Sequence, residues 1–154
     1  MGSAASISHT STFDLNVPIE RLFPLFTPEG ETLWVPGWTY ENIEGSKELR
    51  EDYIFLTQDH DHAAAKAVWI TKQYDPGLHR VQYYKIEPDE KIGLITVQCT
   101  PLGRSQTKTK VTYRYIGLSE SGNRFIGRFT KAEYDLFIAE WKRLLEKHFE
   151  TEAL

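Results

Sequence analysis

The sequence predicts an α+β protein in which a long curved antiparallel sheet packs against one C-terminal helix. Three observations carry this. Residues 130–149, TKAEYDLFIAEWKRLLEKHF, place Tyr134, Phe137, Ile138, Trp141, Leu144, Leu145 and Phe149 at helical spacing on one face. Between residues 52 and 115, segments that alternate or are rich in β-branched and aromatic residues follow one another, joined by DPGLH, EPDE and PLGRSQ. Those connections carry the residues that set turn dihedrals, so neighbouring strands run antiparallel. One apolar helix face and one apolar sheet face must bury each other.

In chain order, STFDL reads as the first strand. NVPIERLFPLFT then spaces Ile19, Leu22, Phe23 and Phe26 as a short helix, with Pro18 suited to its start and Pro24 kinking or shortening it. Thr27 caps a second short helix that opens on Pro28, and Glu29 and Glu31 complement its dipole. Pro36-Gly37 ends it, leaving Trp34 on the helix and Trp38 just past it. DYIFLTQ, AKAVWITKQY, HRVQYYKI, KIGLITVQC and TKTKVTYRY supply five more strands. Thr130 and Glu133 form a capping box for the long helix. The expected organisation is a flexible lead-in over 1–9, one domain over 10–150 and a tail over 151–154.

Composition narrows the function classes. A net charge of −4 opposes nucleic-acid binding, which needs a cationic surface. No apolar run reaches the roughly 20 residues that span a bilayer, and the start lacks the basic and apolar regions of a signal peptide. The Met-Gly start with Ser6 fits a myristoylation pattern only superficially. A cytoplasmic protein, monomeric or homodimeric, is expected. One cysteine, Cys99, excludes an intramolecular disulfide and reads as a buried small residue in a strand. The DHDH string, Asp59 to His62, has metal-ligating side chains, but Lys66 follows where a cupin would place a carboxylate. A polar hairpin tip explains it, and neither metal nor cofactor is expected. No G-x-S-x-G elbow or glycine-rich phosphate loop is present. Lys108, Lys110 and Arg114 alternate with apolar residues as the wet side of a strand.

This order of elements resembles the START / polyketide-cyclase (SRPBCC) superfamily. LFPLFTPEGETLWVPGW near the front and VTYRYIGLSESGN before the last helix look like uncharacterised bacterial members. The resemblance covers roughly residues 10–150. It implies the helix-grip fold, about seven strands wrapped around the C-terminal helix, with an apolar cavity between them. It also implies a small hydrophobic ligand, lipid-, polyketide- or hormone-like. Candidate ligand-binding residues are Trp34, Trp38, Trp69, Tyr83, Val97, Tyr113, Tyr134, Phe137, Ile138 and Trp141. Trp and Tyr suit a cavity because each joins a large apolar face to one polar handle. Tyr83, Tyr113 and Tyr134 would orient the ligand, and Trp34 and Trp38 would act as a lid or plug. Val111 and Tyr115 share the expected inward phase. Glu29, Glu31, Glu41 and Glu44 flank the Trp pair; Glu31 is the candidate acid or base, since a carboxylate turned into the cavity would have a raised pKa. The alternatives are a cyclase- or aromatase-like enzyme, recognised by a buried ionisable group, and an interaction module resembling a chaperone activator, recognised by a filled core and an exposed apolar patch.

Overall fold

The computed structural model describes residues 5–58 and 66–153. The six strands are β1 (Ser6–Leu15), β2 (Ile54–Gln58), β3 (Lys66–Asp75), β4 (Arg80–Glu87), β5 (Lys91–Gly103) and β6 (Gln106–Gly117). They form one antiparallel sheet in the order β1-β6-β5-β4-β3-β2. From β3 to β6 each strand follows its neighbour through a short connection, and β1 adds to the free edge of β6. The turn after β3 is held by Asp75 Oδ1, which accepts the Leu78 N–H at 3.0 Å. β1 begins at Ser6, inside the segment expected as a lead-in, and pairs with β6 from Ser6↔Ile116 onward.

Helices α1 (Ile19–Leu22) and α2 (Pro28–Glu31) flank a 3-10 turn, Phe23–Phe26, that begins next to Pro24. Thr27 caps α2 by accepting the Gly30 N–H at 3.0 Å. Gly30 is required there, because a Cβ would lie 2.2 Å from the Pro24 carbonyl oxygen. α2 is one turn long, so Trp34 sits on the following hydrogen-bonded turn and not on the helix. Between β6 and the last helix lies α3 (Glu120–Arg128), which the sequence reading did not contain. Ser119 caps it, accepting the Gly122 N–H at 3.1 Å. α4 (Lys131–Ala153) absorbs most of the expected tail.

The sheet has six strands, one fewer than the resemblance implied. The segment before β2 makes a single bridge, Glu41↔Leu56, and then leaves the sheet edge. Gly45 (φ +83°) and Asp52 (φ +67°) adopt left-handed conformations that break a strand. The Glu44 carboxylate accepts the Ile54 N–H at 2.5 Å, occupying a donor a seventh strand would have used.

The core lies between the concave sheet face and α4. Tyr134, Ile138, Trp141 and Leu145 form the buried stripe of the helix. They face Val81 and Tyr83 of β4, Ile95 and Val97 of β5, and Val111, Tyr113 and Tyr115 of β6. Burying a side chain such as Ile138 stabilises the fold by about 2 kcal/mol. β3 carries a bulge between Thr71 and Gln73, so its inward phase passes from Trp69 and Thr71 to Tyr74.

Candidate functional site

Strands β3 to β6 and helices α3 and α4 line a partly open cavity of about 380 Å³. One wall is aromatic. Tyr113 stands at its centre, 5.4 Å between ring centroids from Phe137 and 5.9 Å from Tyr115. Trp69 projects from β3, with its indole N–H donated to Thr57 Oγ1 at 2.9 Å. α3 supplies Phe125, and Phe129 follows at the helix end; their rings lie 5.5 and 5.7 Å from Tyr115. The position of α3 depends on Gly122, where a Cβ would lie 1.8 Å from the Glu90 carbonyl oxygen.

The other wall is charged. Lys85 and Glu87 continue the inward phase of Val81 and Tyr83 on β4, and Lys91 begins the inward phase of β5. Glu87 and Lys91 are cross-strand partners at the β4–β5 turn. They are only 7% and 6% exposed, so each must find its counter-charge in the protein. Lys91 Nζ lies 3.0 Å from Glu87 Oε2 and 4.0 Å from the centroid of the Phe125 ring. The carboxylate oxygen receives no well-directed hydrogen bond, so this contact is chiefly Coulombic. Lys85 Nζ is farther off, 3.9 Å from Glu87 Oε1, and sits 5.5 Å from the Trp69 ring centroid.

Glu31, at the end of α2, is enclosed by protein atoms yet keeps part of its surface accessible. Burial pushes its carboxyl up to about 8, and the Lys85 charge pulls the other way. Burial is also the main cause holding the phenols of Tyr83 and Tyr113 well above their usual range, with the Glu31 charge adding to it. Glu31, Lys85, Tyr83 and Tyr113 thus interact electrostatically on the concave side.

Among the expected ligand-binding residues, Trp69, Tyr113 and Phe137 line this cavity. Val97, Ile138 and Trp141 are buried in the core beside it. The hydroxyls of Tyr83 and Tyr134 are taken up by the fold: Tyr83 donates to Phe26 O at 2.7 Å and Tyr134 to Val111 O at 2.6 Å. The Tyr113 hydroxyl has no protein hydrogen-bond partner among the described residues. Trp34 is a buried plug, its N–H donated to Leu25 O at 2.7 Å and its ring 5.5 Å from Trp141. Trp38 donates to Pro28 O at 2.8 Å and meets Trp69 edge-on at 5.8 Å. Cys99 is buried, which pushes its thiol up to about 12. The DHDH string lies outside the described residues. Among those described, no three His, Cys, Asp or Glu residues are grouped to hold a metal, and no helix is long and apolar enough to cross a membrane.

Sequence reasoning missed Lys85, Glu87, Lys91, Phe125 and Phe129. The first three were detectable as charged residues standing on the apolar phase of a strand, and Glu87 and Lys91 are buried there. The two phenylalanines had no such signal without α3.

An α+β layer closed around one helix, with an aromatic cavity carrying buried charges, is a helix-grip fold. Comparison with solved structures agrees. Norcoclaurine synthase from Thalictrum flavum, in complex with dopamine and hydroxybenzaldehyde, matches with a TM-score of 0.66 at 13% identity, over 95% of this chain and 90% of that one. The di-domain ARO/CYC BexL of the BE-7585A biosynthetic pathway matches at 0.67 and 13% identity, over 91% of this chain and 46% of BexL, so this chain spans about half its length. A protein from Thermobifida fusca matches at 0.64 and 12% identity, over 92% of each chain. At such identities the likeness is one of fold. No family model matches the chain, and no curated protein matches its sequence.

Proposed function

We propose that this protein binds a small hydrophobic or aromatic molecule in the cavity between sheet and helix. The observation that carries the reading is the partly open cavity of about 380 Å³ walled largely by aromatic rings. Small-molecule sites typically measure roughly 300–1,000 Å³ and are lined in this way. Burying about 200 Å² of ligand apolar surface contributes about 5 kcal/mol before ordering costs. The cavity also favours this reading over an interaction module, which needs a filled interior. The helix-grip structures it resembles include one solved with dopamine and hydroxybenzaldehyde.

The test is titration with 2-naphthoate and 2-naphthalenemethanol, followed by tryptophan fluorescence, together with native mass spectrometry for a co-purified molecule. Binding to one site is expected. Phe137 lines the cavity but is 39% exposed, so Phe137→Ala leaves the fold largely intact and weakens binding about tenfold. Failure of both probes to bind, with no co-purified molecule, would reject the reading.

Glu31 supports a second reading, a cyclase- or aromatase-like enzyme. A carboxyl held near neutral pKa can donate and accept a proton while the cavity orients a flexible poly-ketone. Incubation with a synthetic poly-β-ketone thioester is expected to yield a cyclised, dehydrated product with the native chain and not with Glu31→Gln. Equal product from both chains removes Glu31 from that role.

A further inference from the structure

Lys85 is the charged group of the cavity wall that the fold leaves incompletely matched. Glu87 is contacted at 3.0 Å by Lys91, whose ammonium also rests on the Phe125 ring. Glu87 stands 3.9 Å from Lys85, at the outer limit of an ion pair. Glu90, which also lines the cavity, accepts a hydrogen bond from Ser121 Oγ at 3.0 Å. Glu31 faces Lys85 from α2, but burial disfavours its charged form. Lys85 thus brings a cation to a cavity whose other surfaces are mostly rings. Trp69 lies beneath its ammonium at 5.5 Å, and the Tyr113 hydroxyl is available on the neighbouring wall.

From this arrangement we infer that the cavity selects a planar aromatic ligand bearing one anionic oxygen, carboxylate or phenolate, which ion-pairs with Lys85 while the rings of Trp69, Tyr113 and Phe137 hold the aromatic body. The inference rests on the ligand-binding reading and deepens it. Charge is the natural selector here. A neutral ligand buries Lys85 without supplying a partner, and a cationic one adds a like charge to it. An anion completes the ion pair through charge-assisted hydrogen bonds, which are stronger than those between neutral groups.

Three naphthalene probes separate the possibilities. Near pH 7, 2-naphthoate is expected to bind about tenfold more tightly than neutral 2-naphthalenemethanol. Lys85→Met should reduce that preference to about twofold or less, and Lys85→Arg should keep most of it. Lys131→Met, at an exposed cation outside the cavity, should leave it unchanged. The third probe, 2-naphthol, is neutral in solution near pH 7, so naphtholate absorption on binding there identifies the phenolate source, and preference for naphthoate alone identifies the carboxylate. The comparison on the native chain needs no variant to fold. Equal binding of naphthoate and the alcohol, with no naphtholate signal, overturns the anion preference and leaves the cavity reading standing. Binding of none of the three overturns both. A preference that survives in folded Lys85→Met shows that another group selects the anion and rejects the assignment to Lys85.

Discussion

Glu31 and Tyr134 show how single residues set the properties of this interior. Burial raises the Glu31 carboxyl from 4.5 to about 8, opposed by Lys85, with the phenols of Tyr83 and Tyr113 nearby. The folded chain therefore binds this proton more tightly than the unfolded chain does. Its contribution to stability is complete below about pH 4.5 and is lost as pH rises through about 8. Glu31→Gln removes that dependence. Thermal melts should coincide for the two chains near pH 4.5, with the variant melting about 5 °C higher at pH 8. Tyr134 is fully buried, and its hydroxyl ties α4 to the Val111 carbonyl of β6. Tyr134→Phe keeps the ring and removes the bond, so urea unfolding should show a loss of about 1 kcal/mol.

At the scale of elements, α3 supplies part of the cavity wall. Its glycines and serines are poor helix formers, so nothing in GLSESGN reads as helical by propensity or period. The helix forms because Ser119 caps it and because Gly122 allows close contact with the β4–β5 turn. Gly122→Ala should displace α3 from the Glu90 backbone, lower stability by about 2 kcal/mol and weaken binding of the naphthalene probes. Gly127 has open space where a Cβ would go. Gly127→Ala should therefore stabilise the same helix by about 0.5–1 kcal/mol, measured by the same melts, and leave binding unchanged. The seventh strand fails for a comparably local reason. Glu44 and two left-handed residues divert the chain before it can extend along β2.

At the scale of the whole molecule, ligand and fold are coupled, because the cavity exists only when sheet, α3 and α4 are assembled. A probe that binds there at about 100 times its Kd should add about 2.7 kcal/mol to stability, read as a rise in Tm that grows with probe concentration. The sequence by itself determined the order of elements, the α+β class and the inward aromatics of β6, because period-2 and helical spacing are local consequences of backbone geometry. It also marked Thr27 and Thr130 as caps, which act within one turn. Other features were decided only when distant segments met. The β3 bulge changes phase within an otherwise regular strand. Trp34 and Trp38 look alike in the sequence, yet one plugs the core and the other packs on Trp69. Tyr83 and Tyr134 direct their hydroxyls to backbone carbonyls 57 and 23 residues away, so those handles are not open to a ligand. Glu31 stands out in the sequence only by its place beside the Trp pair, and Lys85, Glu87 and Lys91 only by falling on the apolar phase of their strands. Their chemistry comes from the burial of Glu87 and Lys91 and from the distances among the four, and both are set by the tertiary fold.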